Sequence, residues 1–576
     1  MKTWWRRSPG ISRSELLAAI GVAVAATLVQ FYTLVCHIGS RIASDLGDPL
    51  SQAWQIGWGG HALLHQPLAF WQANQFWPSP DSLAFSDALA GYAPLAMFGS
   101  GLQATIVHYN LAFLFSFALA FVAVWLLTRE LGVGNLAALA GGAAFAFSPW
   151  RMQQGPHLHI LSSGGIALAL FLLLRGYRQQ SAGLIIAGWL VAGWQQSIGF
   201  SLAIQMDYLL LLLGLIGAVT WVVAGRPKPS RGELVGTALG LVGFGIAIWW
   251  SLRPYARVVD ANTGTSYSLS TVMSMSPSPW SFLAPPRQTA LWDGWADWIM
   301  PRTGHGYSLY PGVVAALLAL VGLFWKGVPK AIRIGLAVTT LGAMLLSLGV
   351  RLSGPGRFLP YRALHDWFPG WDVIRTPGRI HTVTTLALAL LVAGGVALVQ
   401  ERLVARGRGQ IGSALAVAAT LLILADGSGI PYPAPQVPKP AAGLSQVEGP
   451  LVQIPAGAQN NREYLIWSTE SFPKMVNGRS THAPTSYKTL IKLAAAFPAP
   501  NAIAALKETG IRSLVIHTEF SDQRDGFIVA GRLRKGPEYV SPSWSQALTV
   551  QAPVASGITR TLKRPLIIFT FPKPAG

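Results

Sequence analysis

Two carboxylates near the start of the chain are the first residues whose type and spacing could do chemistry. Asp45 and Asp48 stand in Ser44-Asp45-Leu46-Gly47-Asp48-Pro49-Leu50, a few residues beyond the first long apolar run. Loop carboxylates are often only solvated. In a chemical role, one can act as a general base, or both can help hold a divalent cation such as Mg or Mn by oxygen ligands. Asp87 follows at the start of a softer apolar stretch and can close the same pocket. The turn from Pro149 to His159 carries Arg151, Gln154, His157 and His159. It reads either as an interface belt with a snorkelling arginine or as an anion or sugar site. Histidines two residues apart do not share a helix face, which disfavours zinc there. The turn Trp194-Gln195-Gln196-Ser197 adds Gln196 as a candidate substrate contact, and Asp207 lies about two turns into an apolar run. An acid at membrane depth points to function by default; the plainer reading bonds it to Gln195 or Gln205. Arg375 and Arg379 flank the start of a helix. They can grip a phosphate bidentately, or pair with Asp366 or Asp372.

The frame holding these groups is membranous. The chain has 576 residues, 51% hydrophobic and 11% charged, with mean hydropathy +0.42. Soluble domains carry about 25% charged residues. The net charge of +20 comes from basic residues in short loops between apolar runs, the positive-inside pattern. No aromatic-basic module for single strands is visible, so nucleic acid is not an expected partner. Cys36 is the only cysteine, which rules out disulfides within the chain and any Cys-based zinc site. Lys2, Arg6, Arg7 and Arg13 precede the apolar run 16–35. That run is longer than a signal h-region and reads as a retained anchor.

A spanning helix takes about 20 apolar residues. Runs at 15–37, 109–129, 133–149, 158–175, 182–198, 201–224, 232–251, 308–325, 331–350, 380–400 and 411–426 predict eleven spans, with the N-terminus cytoplasmic and the C-terminus outside. The softer run 86–107 must then re-enter or lie along the outer face. The helix predicted over 50–64, with Trp54 and Trp58, is amphipathic and suits the interface. The expected organisation is a transmembrane domain over 1–426, with an outer loop at 38–108 bearing juxtamembrane helices, and a small α+β extracytoplasmic domain over 427–576. In that tail, Asn501 to Thr509 predicts a helix, and Ile511 to His517 and Leu566 to Phe571 predict strands. No P-loop, GxGxxG, HExxH, GxSxG or kinase signature has a plausible context.

These pieces together resemble the GT-C superfamily of polyprenyl-phosphate-dependent membrane glycosyltransferases, in a bacterial branch. The resemblance covers most of the chain. It rests on Ser44 to Leu50 with Trp54 and Trp58, on Phe76-Trp-Pro-Ser-Pro, on Leu83-Ala-Phe-Ser-Asp87, on Pro149-Trp-Arg151 with Gln154 and His157, and on Arg375-Thr-Pro-Gly-Arg379. In the tail it includes Tyr464-Leu-Ile-Trp-Ser-Thr469, Val476-Asn-Gly478, Pro484 and Tyr487. It implies a location in the bacterial cytoplasmic membrane, a polyprenyl-phosphate-linked sugar as donor, and a glycan, lipid or protein acceptor. Asp48, with Asp45 in reserve, matches the acid that deprotonates the acceptor hydroxyl; Asp87 matches a second acidic position, and Arg375 and Arg379 match basic groups on the lipid phosphate. Gly47-Asp48-Pro49 stands where the protein mannosyltransferases have adjacent acids, which leaves metal dependence open. A carrier or flippase for a lipid-linked sugar, or a non-catalytic envelope-glycan assembly protein, are the alternatives. Transporters usually carry internal repeats and helices broken at the midplane, and no repeat is found.

Overall fold

The apolar runs fold as helices, and breaker residues decide how long each becomes. The computed structural model describes residues 8–262, 266–303, 307–350, 360–429, 431–480, 482–518, 527–529, 532–534 and 556–573. Among them, eight helical segments are long and apolar enough to cross a membrane: Arg13–Gln30, Gly101–Glu130, Leu158–Gln179, Phe200–Val223, Arg231–Ala261, Lys330–Ser347, Pro377–Val404 and Gly409–Gly427. All eleven expected runs carry helix, but three hold shorter ones: Asn135–Ala146, Ala182–Gln196 and Val313–Gly322. At 1.5 Å per residue these reach only about 15–23 Å, short of a hydrocarbon core of about 30 Å. The cause is local: Ser148-Pro149 starts a new turn after the first, Ser181 and Ser197 bracket the second, and Gly312 at φ 91° delays the third.

The run 86–107 is not one re-entrant helix. A 3-10 segment, Ala90–Met97, contains Pro94. Gly99 and Gly101 then take positive φ. The residues from Gly101 on form the first turns of the 30-residue helix Gly101–Glu130.

The chain divides into two compact units. The first comprises Met1–Cys36, Leu111–Ser251 and Gly264–Pro433. Its Val313–Gly322 and His381–Val404 helices touch backbone to backbone. A Cβ on Gly322 would lie 1.9 Å from the Leu391 carbonyl oxygen, and one on Gly395 would lie 2.1 Å from that of Leu318. Small residues permit such an approach where lipid supplies no hydrophobic drive. One end of the unit is tied by a buried acid. Glu130 is ion-paired with Arg175 at 2.9 Å and Arg178 at 3.1 Å, and accepts from Ser8 Oγ at 3.0 Å. Breaking a buried pair strands the remaining charge, at a cost of about 3–5 kcal/mol. Glu130→Gln is therefore expected to lower the melting temperature of the detergent-solubilised protein clearly; an unchanged melt would mean the cluster contributes nothing.

The second unit comprises His37–Asn110, Leu252–Thr263 and Ala434–Gly576. The outer loop and the tail, expected to be separate, thus share one unit. Backbone bonds stitch them: Ile42 N–H to Pro435 O, Val437 N–H to Ser40 O, Trp77 N–H to Met475 O and Met475 N–H to Asn74 O. Its strands are β1 (Leu451–Ile454), β2 (Ser513–His517), β3 (Phe527–Val529), β4 (Arg532–Arg534), β5 (Thr559–Lys563) and β6 (Leu566–Thr570). The main sheet has the order β1-β2-β6-β5, with only β1 and β2 parallel. The helix expected at 501–509 is Pro500–Glu508, ended by Gly510 at φ 79°.

The helix Asp48–His65 is buried from Pro49 to Gly60, so the interfacial placement expected for it does not hold. Trp54 donates to Asn74 Oδ1 and Trp58 to the Phe70 carbonyl, each at 3.0 Å. Gly59 and Gly60 admit Ala93 and Ala96 of the 3-10 segment. An apolar stripe shows where water is excluded; here protein excludes it, and not lipid.

Candidate active site

In the second unit, the acids sit where the loop turns into the Asp48–His65 helix. Ser44 takes φ 75°, and the Asp45 carboxylate accepts from the Gly47 N–H at 2.7 Å. Asp48 is the first helical residue, where free backbone N–H groups and the helix dipole complement a negative charge. Its Oδ1 accepts from the Arg462 guanidinium at 2.8 Å, and Asp48 stays 44% exposed while Arg462 is only 15% exposed. Gln459, one turn earlier on the Ala458–Trp467 helix, donates to the Leu46 carbonyl at 2.8 Å. Burial pushes the Asp45 carboxyl up from the usual range. The Gly47 N–H pulls it down, the Asp48 charge raises it further, and Arg462 lowers it. The two acids therefore sense each other, and one arginine acts on both.

Arg462 engages one carboxylate oxygen of Asp48, Oδ1. Among the described residues, no three His, Cys, Asp or Glu side chains converge as ligands. A Mg or Ca centre takes about six or more oxygens. No step is routed through a divalent cation. Asp87 is half-buried; beside it, Tyr255 donates to the Ser86 carbonyl at 2.9 Å. Asp81, which sequence reasoning passed over, is ion-paired with Arg257 at 2.6 Å.

In the first unit, the loop carrying Arg375 and Arg379 is pinned on the Phe200–Val223 helix. Gly370, at φ 84°, lies against Ile204. Tyr208 donates to the Pro369 carbonyl at 3.0 Å, and Trp371, Ile374, Tyr361 and Ile204 share a core cluster. Arg375 and Arg379 both act on one hydroxyl, that of Tyr307: burial raises its pKa, and the charges of Arg379 and Arg375 lower it. Arg375 also lies over the Tyr267 ring, 5.9 Å from its centroid. The salt-bridge alternative is not realised for Arg375. Asp366 is taken by His365 at 2.8 Å and Arg362 at 3.2 Å, and these hold its carboxyl below the usual range. Asp372 forms no ion pair among the described residues, so Arg375 has no carboxylate partner there.

Arg151 is placed differently from the expectation. It is fully buried, donating to the Ala146 carbonyl at 3.1 Å, to the Leu161 carbonyl at 2.8 Å and to Ser163 Oγ, between the Phe117 and Phe145 rings. It clamps its own turn: it does not snorkel, and, being fully buried, it does not present its guanidinium as the donor-phosphate ligand it was a candidate for. Gln154 closes the Pro149–Gln153 turn, and its carbonyl accepts the His157 N–H at 2.7 Å. The His157 and His159 rings meet edge to face, centroids 5.8 Å apart. Gln196 is buried, and its amide is the hydrogen-bond partner of Asp207, in place of Gln195 or Gln205. Neither Arg462 nor Tyr307 was visible beforehand, since an isolated Arg or Tyr in a loop or tail carries no local signal.

A family model described as a domain of unknown function, DUF6311, matches residues 18–427. No curated protein matches in sequence. Similar solved structures include the arabinofuranosyltransferase AftD from Mycobacteria, with TM-score 0.49 and 16% identity over 89% of this chain and 37% of that one. The present chain thus spans little more than a third of that enzyme's length. The Archaeoglobus fulgidus oligosaccharyltransferase, tethered with an acceptor peptide, gives TM-score 0.44 and 13% identity over 88% of this chain and 70% of that one. ArnT from Cupriavidus metallidurans, bound to undecaprenyl phosphate, gives TM-score 0.39 and 12% identity over 97% of this chain and 98% of that one.

Proposed function

The chain belongs to the DUF6311 family, and from that premise we propose that it is a membrane glycosyltransferase that takes a sugar from a polyprenyl-phosphate donor. The acceptor is a glycan, lipid or protein hydroxyl on the outer face of the bacterial cytoplasmic membrane. One observation carries the reading: in a unit of apolar helices, Arg375 stays half-buried without a carboxylate partner among the described residues, and shares Tyr307 with a second arginine. A half-buried guanidinium kept without a counter-ion suits an anionic ligand, and phosphate matches its fork.

In this reading Asp48 is the general base, with Asp45 in reserve. The base takes the acceptor proton, the acceptor oxygen bonds to the anomeric carbon, and the bond from that carbon to the phosphate oxygen breaks. The bonding electrons leave with the lipid phosphate. The donor is already activated, so no nucleotide is needed. Arg462 orients Asp48.

The test uses the full-length protein in lipid nanodiscs with polyprenyl-phospho-sugars. Transfer to an acceptor extract supports the proposal; binding of these lipids without transfer favours the carrier. Protease protection in membrane vesicles tests the orientation. Tail cleavage from the cytoplasmic side would overturn the proposed sidedness.

A further inference from the structure

Beside the arginine loop, the first unit holds an apolar knot: Trp150, Ile160, Leu202 and Leu309, with Phe282 packed against it. The rings of Trp150 and His381 meet at 5.4 Å, and those of Phe282 and His381 at 5.8 Å. Around this knot, five buried polar side chains carry atoms with no hydrogen-bond partner among the described residues. They are Ser201, Gln205, Ser281, His381 and Thr384. Gln205 lacks partners for both amide atoms and His381 for both ring nitrogens. Buried polar groups are bonded in roughly nine cases of ten, so five such side chains about one knot call for a common cause.

Their placement suggests it. The 3-10 turn Pro377–Ile380, with Arg379, runs straight into the helix begun by His381. On the Phe200–Val223 helix, residues advance by about 100° each. Ile204 and Tyr208 face the arginine loop, and Leu202 faces Trp150. Ser201 and Gln205 fall in the sector between. Asp207 and Gln196, on another sector, are bonded to each other and stand apart from this set.

We propose that the shell of Ser201, Gln205, Ser281, His381 and Thr384 around Trp150 binds the uncharged polyhydroxyl ring of a donor whose phosphate lies at Arg375 and Arg379. The inference rests on the donor reading above and adds the residues that select the sugar. Amide, hydroxyl and imidazole groups offer both donors and acceptors without a fixed charge. They match sugar hydroxyls; an acyl chain would leave them bare, and an anion has the arginines. A site built to bond hydroxyls rejects ligands that lack them.

The experiment compares two probes on the full-length protein in nanodiscs: undecaprenyl phosphate, and undecaprenyl phosphate bearing a hexose or a pentose. Wild-type protein should bind at least one sugar-bearing form roughly tenfold or more tightly than the bare lipid phosphate. Gln205→Met, nearly isosteric, should erase that increment and leave binding of the bare lipid unchanged. Thr384→Val repeats the test from a second helix should Gln205→Met fail to fold. Equal binding of bare and sugar-bearing lipids by the wild type, or an increment that survives both substitutions, overturns this inference while the donor reading stands. Wild-type protein that binds none of the lipids overturns both.

Discussion

Asp48→Asn is expected to cut sugar transfer by about 10²–10⁴-fold, the usual contribution of a positioned base, while donor lipid still binds. The substitution keeps the side-chain size and the helix start, so lost activity reports lost proton acceptance. Asp45 is the control, because the two acids are electrostatically coupled. If Asp45 is the base instead, Asp45→Asn is the variant that abolishes transfer, and the pH profile separates the cases. A base works in its ionised form, so the rate rises with pH through its pKa. Burial raises that of Asp45 and Arg462 lowers it. With Asp45 as base, the acidic limb lies above the usual carboxylate range. It moves to still higher pH in Arg462→Gln, and to lower pH in Asp48→Asn, where a like charge is gone. Full activity of Asp48→Asn with a limb that shifts in this way would transfer the role to Asp45.

Replacing Arg375 and Arg379 together by Gln is expected to weaken binding of undecaprenyl phosphate by on the order of 10²–10⁴-fold, since a hydrogen bond to a charged group is worth about 1.5–3 kcal/mol. Lysine at either position should recover only part of the loss, because an ammonium lacks the two-pronged fork. Arg362→Gln is the comparison. That residue pairs with Asp366, and both are at least a third exposed, so its contribution should be within about 1 kcal/mol. Undiminished lipid binding in the double variant would remove the phosphate from this loop.

Much of the frame could be read from residues alone, because apolar length and flanking basic residues act locally. Strands β2 and β6 fall inside the stretches their alternation predicts. What escaped depends on distant partners. Trp54 and Trp58 form the same stripe whether lipid or protein covers it, and only Asn74 and the Phe70 carbonyl tell which. Arg151 has the composition of a snorkelling residue, but the carbonyls of Ala146 and Leu161 consume its guanidinium. Gly99 and Gly101 lie within an apolar stretch that hydropathy treats as continuous, yet their positive φ ends one element and starts another.

Asp48 and Arg462 are 414 residues apart in the chain. During synthesis the acid emerges 414 residues before its arginine partner. A ribosome releasing the protein short of Arg462 would leave a tryptophan-bearing helix without its cover and Asp48 without its guanidinium partner. Chains truncated before Arg462 should therefore be both inactive and readily proteolysed.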